Sequence, residues 1–293
     1  MKIVLLGASG QLGREWQSVI SEDYTEADDM ILLPYTSSQL DITDHEAVRK
    51  ELREQQPDVV VNCAAFTDVD GAEEQRAKAY QVNVEAVANL AEFCAGLGLG
   101  LVHYSTDYVF PGKLEDKERC PDGYPEDHPA DPINYYGQTK WEGEEAIRQA
   151  TKNYLIIRVS WLCGKFGNNF VKTMLRFGRE RDQLQVVNDQ FGSPTYAENV
   201  VENSLNLLRS GHSGTFHLTS KGLITWYDFA QAIFTQSDME VNIESIPSDA
   251  FPSKSKRPRF SKLSTKKLES VPNTELLDWR DGLEALLSQL KNR

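Results

Sequence analysis

Tyr136 and Lys140 stand four residues apart in Tyr136-Gly137-Gln138-Thr139-Lys140. On a helix that spacing puts both side chains on one face, one turn apart. A lysine ammonium beside a phenol favours the phenolate and draws the tyrosine pKa down from about 10 toward working pH. A phenol tuned in this way can hand a proton to a developing alkoxide. The spacing alone also fits a solvated helix face, so its meaning depends on the rest of the chain. A second feature is Gly7-Ala8-Ser9-Gly10-Gln11-Leu12-Gly13, which follows an apolar run at residues 2–6 and leads into a helical pattern to about Ile20. Glycines after a strand let the backbone turn tightly and approach a pyrophosphate, while the helix N-terminus offers free N–H groups. Gly7, Gly10, Gln11, Leu12 and Gly13 are the expected cofactor contacts of this turn. Its Gly-x-x-Gly-x-x-Gly spacing departs from the commoner Gly-x-Gly-x-x-Gly, and a plain strand–helix turn stays open.

Such residues need elements to carry them. Residues 2–6, Met30–Tyr35, Val59–Val61, Leu101–Ser105 and Leu155–Val159 read as strands. Between them lie helical patterns at Asp44–Gln56, with Thr43 as N-cap and Glu46 as its capping-box partner, at Ala79–Leu97, and at 134–150 with the Tyr/Lys pair. Apolar strands alternating with helices of this length predict an α/β fold, a doubly wound parallel sheet. In such sheets ligands bind at the carboxyl ends of strands. Gly7, Asn62–Ala65, Thr106 and Ser160 all fall at those ends, and small residues at Cys63, Ala64 and Ala65 leave room for a ligand. Residues 110–133, rich in Pro, Gly and charge, read as a long loop on the substrate side. Beyond Val159 the alternation loosens. Helices are expected at Asn168–Arg181, Ala197–Arg209, Trp226–Thr235 and Trp279–Leu290, with extended segments at Leu184–Val187 and Thr215–Leu218. The leucine stripe of the last helix suits core packing or a dimer face. The expected division is a dinucleotide-binding domain over 1–160 and a smaller α+β substrate domain over 161–293, with about 185–218 returning to the first.

The chain has 293 residues, 40% of them hydrophobic, and a formal net charge of −13. An acidic chain argues against nucleic acid and anionic membrane surfaces as partners. No run approaches the roughly 20 apolar residues of a membrane-crossing helix, and the first residues do not form a signal peptide. Cys63, Cys94, Cys120 and Cys163 are widely spaced, without metal-ligand spacing, which suits reduced thiols in the cytoplasm. No metal site is expected. Lys254, Lys256, Arg257 and Arg259 form the most basic patch.

The glycine turn, a threonine ending the fourth strand and Tyr-x-x-x-Lys on the next long helix, in that order, resemble the extended short-chain dehydrogenase/reductase superfamily, and imply its Rossmann-type fold. Tyr104-Ser105-Thr106-Asp107-Tyr108-Val109-Phe110-Pro111-Gly112, Asn134–Lys140, Arg158-Val159-Ser160-Trp161, Gly167-Asn168-Asn169-Phe170, Asn188–Thr195 and Arg257-Pro258 more closely resemble the dTDP-4-dehydrorhamnose reductases, over nearly the whole chain. That resemblance implies hydride transfer from NADPH or NADH to the 4-keto group of dTDP-4-dehydro-L-rhamnose, the last step of dTDP-rhamnose synthesis. It implies Tyr136 as proton donor, Lys140 lowering the Tyr136 pKa and bonding the nicotinamide ribose, and Thr106 donating to the substrate carbonyl. Asp41 and Ile42, Cys63, Ala64, Ala65 and Thr67 are implied at the cofactor, with Asn83 nearby. Asp107, Trp161 and Asn169 are implied at the sugar. Arg257 suits a diphosphate, because guanidinium grips phosphate oxygens in a fork. Cys163 stands where relatives usually carry a tyrosine.

Cofactor choice is open in the sequence. Tyr35-Thr36-Ser37-Ser38 holds neither an acid for a ribose 2′-hydroxyl nor an arginine for a 2′-phosphate, so use of both forms with a tilt to NADPH is expected. A homodimer is compatible with the resemblance. The alternatives are another nucleotide-sugar reductase or epimerase on the same scaffold, or a non-catalytic regulatory subunit resembling the methionine adenosyltransferase β-subunit. Dehydratases add an Asp-Glu pair after the threonine, and here Thr106 is followed by Asp107-Tyr108.

Overall fold

The computed structural model describes residues 1–23 and 30–291. The first half alternates strand and helix: β1 (Lys2–Leu6), α1 (Gln11–Asp23), β2 (Ile31–Tyr35), α2 (His45–Gln55), β3 (Val59–Asn62), α3 (Val69–Glu74), α4 (Arg76–Tyr80), a π-helical turn (Gln81–Glu85), α5 (Ala86–Leu97), β4 (Gly100–Thr106), α6 (Asp116–Arg119), α7 (Tyr135–Ala150) and β5 (Tyr154–Val159). The second half runs β6 (Leu162–Cys163), α8 (Phe170–Glu180), β7 (Gln183–Val187), β8 (Phe191–Gly192), β9 (Thr195–Tyr196), α9 (Ala197–Arg209), β10 (Gly214–His217), β11 (Ile224–Thr225), α10 (Trp226–Gln236), β12 (Asn242–Ile246), α11 (Lys266–Glu269) and α12 (Trp279–Lys291).

Six strands form one sheet in the order β10-β5-β4-β3-β1-β2. Every neighbouring pair is parallel. The strand order reverses between β1 and β3, which is where a doubly wound, Rossmann-type sheet opens a crevice at its carboxyl edge. Alternating strand residues feed two cores. Ile3, Leu5, Val59, Val61, Val102 and Leu155 pack with Leu12 and Trp16 of α1 and Val200 and Leu205 of α9. Val4, Leu6, Val60, Leu101 and Ile156 pack on the other face with Val48 and Leu52 of α2, Leu90 of α5 and Ile147 of α7. Each fully buried Leu or Ile contributes about 1.5–3 kcal/mol, so both faces of β1 and β3 are anchored and their ends are fixed points for a site.

β7 pairs with β12 and stands outside the six-stranded sheet. The chain therefore re-enters that sheet later than the expected residue 185, with β10 beside β5. A third core joins Val171 and Met174 of α8, Phe229 and Ile233 of α10, and Leu283, Leu286 and Leu287 of α12. Leu283, Leu286 and Leu287 of the α12 stripe are thus core, with Leu290 partly buried beside them. Residues 110–133 are held by their own small core: Phe110 stacks on Tyr124 at 4.7 Å, and Val109, Phe260 and Leu263 close around them.

Two local expectations are corrected. The cap of α2 is Asp44, whose carboxylate accepts from the Ala47 N–H, while Thr43 turns its hydroxyl to Asp41 Oδ1. An aspartate three residues before the N3 amide makes a shorter path than Thr43 could. The expected single helix over 79–97 is interrupted by the π-helical turn at Gln81–Glu85. Its cause lies in Asn83, discussed below.

Candidate active site

The glycine turn leaves β1 with Gly7 at φ +75°, a left-handed backbone that glycine adopts without strain. A side chain at Gly7 would meet the Ala64 amide nitrogen at 2.6 Å, so the turn lies against the end of β3. Gly13 lies equally close to the Gly7 carbonyl, where an added Cβ would sit 2.3 Å away. Gly10, exposed at the tip, closes the turn by donating its N–H to the Gly7 carbonyl at 3.0 Å, and α1 begins directly after it at Gln11 and Leu12, so the helix N-terminus lies at the turn. This cradle fits a dinucleotide pyrophosphate. Asp41 accepts from the Thr43 N–H and hydroxyl at 2.9 and 2.8 Å, a loop-closing role, and Ile42 is buried beside it.

Segment 63–67 follows β3 at the next strand end. Asn83 holds it in place. Its Oδ1 accepts from the Phe66 N–H at 2.9 Å, and its Nδ2 donates to the Phe66 carbonyl at 3.1 Å and to Thr139 Oγ1 at 3.0 Å. A buried amide must satisfy both ends, and the π turn rotates Asn83 inward far enough to do so. Asn83 thus joins the segment bearing Cys63, Ala64, Ala65 and Thr67 to α7. Burial pushes the Cys63 thiol well up, so it is an inert small wall residue.

Thr106 ends β4, and Tyr136 stands on the first turn of α7. The Thr106 hydroxyl donates to Asp107 Oδ1 at 2.9 Å and accepts from the Tyr108 N–H at 3.2 Å. Asn134 caps α7 by accepting from the Gly137 N–H at 2.8 Å, which sets the Tyr136 backbone. Burial, with the Asp107 carboxylate as second cause, raises the Tyr136 pKa, and Thr106 opposes it only in part. The expected lowering by Lys140 is corrected here. The Lys140 Nζ donates to the Tyr104 carbonyl at 2.7 Å and lies 3.1 Å from His103 Nε2. Burial pulls Lys140 down to about 8, against the pull of Glu144 and Cys63. Burial likewise lifts Asp107 to about 7, although Thr106 donates to it.

A cleft of about 1520 Å³ opens beside this group, with Tyr108, Phe170, Trp226, Gln190, Arg257 and Arg259 in its wall. Lys113, Arg181, Lys254 and Lys256 add positive charge to its lining. Tyr108 links cleft and acid, since its ring meets Tyr136 edge-on at 5.7 Å. Arg257 reaches Tyr108 Oη at 3.3 Å and Asp70 at 3.1 Å. Two expected sugar contacts are corrected. Trp161 stacks behind Trp226, centroids 3.5 Å apart, and Trp226 takes the cleft face. Asn169 caps α8 at the Lys172 N–H and donates to Gln11 Oε1 and the Gly164 carbonyl at 3.0 and 2.8 Å, so both ends of its amide are engaged.

A family model described as "RmlD substrate binding domain" matches residues 1–292. The chain belongs to that family. It is 38% identical over 288 residues to the spore coat polysaccharide biosynthesis protein SpsK of Bacillus subtilis, spanning 98% of this chain and 97% of that one. It is 35% identical over 303 residues to dTDP-4-dehydrorhamnose reductase of Escherichia coli K12, spanning 99% and 98%. A crystal structure of dTDP-4-dehydrorhamnose reductase from Bacillus anthracis in complex with NADP superposes with a TM-score of 0.91 at 36% identity, covering 98% and 99% of the two chains.

This member of the RmlD family carries site residues that motif spacing did not single out. Glu144 continues the α7 ridge one turn beyond Lys140. Its carboxylate, fully buried, meets the Arg158 guanidinium at 2.7 and 2.9 Å and the Arg148 guanidinium at 2.6 Å. The four-residue step from Lys140 was the available signal. His103 and Asp70 had none, because one is a lone histidine in an apolar strand and the other an acid in a loop-like stretch.

Proposed function

We propose that this chain reduces the 4-keto group of dTDP-4-dehydro-L-rhamnose to dTDP-L-rhamnose with NADPH or NADH, and that it does so through Thr106, Tyr136 and Lys140. The observation that carries the reading is that Tyr108, in the wall of a cationic cleft in an acidic protein, packs edge-on against Tyr136 on the first turn of α7. The B. anthracis relative, named for this reaction, binds NADP.

The bound nicotinamide supplies the hydride. Gly7, Gly10, Gln11, Leu12 and Gly13 hold the pyrophosphate, and the segment Cys63–Thr67 lines the path of the dinucleotide. Arg257 and its basic neighbours hold the sugar-nucleotide diphosphate. Trp226, in the cleft wall, gives the sugar an apolar surface. Thr106 and Tyr136 then supply two hydroxyls. As charge grows on the ketone oxygen Thr106 turns its hydrogen from Asp107 Oδ1 to it, and Tyr136 donates and releases its proton to the new alkoxide. A raised Tyr136 pKa suits this direction, because the phenol carries its proton at neutral pH. Lys140, one turn on along α7 and held at the Tyr104 carbonyl, bonds the nicotinamide ribose. Four free cysteines and the absence, among the described residues, of any helix long and apolar enough to cross a membrane support a cytoplasmic site of action.

The test is a coupled assay. dTDP-4-dehydro-6-deoxyglucose is supplied with a 3,5-epimerase, and NADPH oxidation is followed together with the dTDP-sugar formed. Epimerase-dependent oxidation yielding dTDP-rhamnose is expected. NADPH left unchanged, or a different sugar product, would overturn the reading.

A further inference from the structure

We propose that His103 is a positioning residue for this reaction: Asn62 locks its imidazole as the Nε2–H tautomer, and that tautomer weakens the hold of Lys140 on its third ammonium proton.

Hydrogen-bond direction carries the argument. His103 lies on β4 and is 1% exposed. Its Nδ1 is 3.2 Å from Asn62 Nδ2, and its Nε2 is 3.1 Å from Lys140 Nζ. The Asn62 carboxamide is not free to turn, because its Oδ1 accepts from the Ala64 N–H at 3.0 Å. The amide therefore faces His103 with its NH2, which only donates. His103 Nδ1 must accept, and a neutral imidazole that accepts at Nδ1 carries its hydrogen on Nε2. That hydrogen faces Lys140. An ammonium offers hydrogens only, so it would meet the Nε2–H donor to donor, whereas an amine offers a lone pair. The amine also keeps a hydrogen for the Tyr104 carbonyl at 2.7 Å. The chain Asn62 → His103 → Lys140 → Tyr104 is thus fully satisfied with the amine, and one bond short with the ammonium.

The other groups around Lys140 pull in known directions. Burial opposes its charge, Glu144 on its own helix and Cys63 at the end of β3 favour it, and the balance lies at about 8. Tyr136 stands one turn away on the same helix, and the Tyr104 phenol is engaged elsewhere, with Trp16 and Ser204. His103 itself stays neutral, held well below its ordinary value by burial and by Lys140. Lys140 is therefore poised to exchange its proton near working pH, where acid–base groups act best. His103 touches neither the hydroxyl pair nor the cleft, and acts only through Lys140.

The test has two readouts. In the full-length protein labelled with 15N-histidine, His103 is expected as the Nε2–H tautomer above about pH 9, where Lys140 is the amine. Its signal is assigned by its loss in His103→Leu. Asn62→Asp presents an acceptor where the NH2 stood and should convert His103 to the Nδ1–H form. Nδ1–H in the unsubstituted protein, or no conversion in Asn62→Asp, would overturn the inference. The second readout is the basic limb of kcat/KM, which should move up by about one pH unit in Asn62→Asp. A lower kcat with an unmoved limb would mean a purely structural role. Only this second readout rests on the reductase reading, so a protein without reductase activity would sink that reading while the tautomer result still decides the inference.

Discussion

Arg257, in the wall of the cleft, reaches Asp70 on α3, Nη2 to Oδ2 at 3.1 Å. Asp70 lies on α3, beside the sheet that bears the acid, and Arg257 on the strap that bears the basic patch. The same carboxylate accepts from the Ser255 N–H at 3.0 Å and from the Ser253 hydroxyl at 3.2 Å. One acid therefore shapes the strap and aims its arginine. These contacts hold Asp70 below the usual carboxylate range, although its burial works the other way.

Asp70→Asn should loosen the strap without touching the acid. KM for the dTDP-sugar is expected to rise about tenfold, or ~1.4 kcal/mol, with kcat and KM for NADPH unchanged. Steady-state kinetics with each substrate varied in turn give the answer, and a fall in kcat alone would place Asp70 elsewhere in the mechanism.

Tyr136→Phe removes the proposed proton donor and keeps the ring that packs on Tyr108. A loss of kcat of about 10²–10⁴ is expected, the usual worth of a positioned general acid. NADPH affinity, read by fluorescence titration, should change little. Turnover at the unsubstituted rate would reject the mechanism.

Glu144→Gln breaks a buried pair, leaving the Arg158 guanidinium uncompensated, at a cost of about 3–5 kcal/mol. The melting temperature should fall by on the order of 10 °C. The pH dependence has a definite sign. Burial would raise the Glu144 pKa, but Arg158 and Arg148 outweigh it and hold it below its ordinary value. Its stabilisation is therefore complete above the unfolded carboxylate value of about 4.3 and fades as pH falls through the folded one. Melting curves of the two proteins should converge in acid and separate toward neutrality. A gap that did not change with pH would show that the charge of Glu144 is not what matters.

NADH and NADPH should give comparable kcat/KM, with some advantage to NADPH. Thr36, Ser38 and Gln39 bond to one another at the end of β2, with Thr36 Oγ1 at 2.9 Å from both Ser38 Oγ and Gln39 Oε1, and no charge there selects a 2′ group. A preference beyond about 1000-fold for either form, some 4 kcal/mol, would contradict this.

Periodicity and turn chemistry made the parallel sheet, the glycine turn and the Tyr136 helix legible in the sequence, because those depend on local patterns. What sequence did not carry was the direction of individual side chains. Trp161 and Trp226 are both aromatic residues in the second half, and only their stacking decides which one meets the cleft. Asn169 has the right chemistry for a sugar, but it is the N-cap of α8, and the Lys172 amide three residues on claims its oxygen. Lys140 sits at the right spacing from Tyr136, yet His103 and the Tyr104 carbonyl come from β4, whose register against the helix no spacing rule predicts.

The π turn at Gln81–Glu85 bears on redesign. Such a turn holds one residue more than an ordinary α-helical turn, and such turns are found mostly at functional sites. Here the added residue swings Asn83 toward Phe66 and Thr139. Deleting one residue from this stretch would restore a regular helix and turn Asn83 away by about 100°. Helix-friendly shortening, a routine choice in consensus redesign, would here cut the link between the segment after β3 and the catalytic helix.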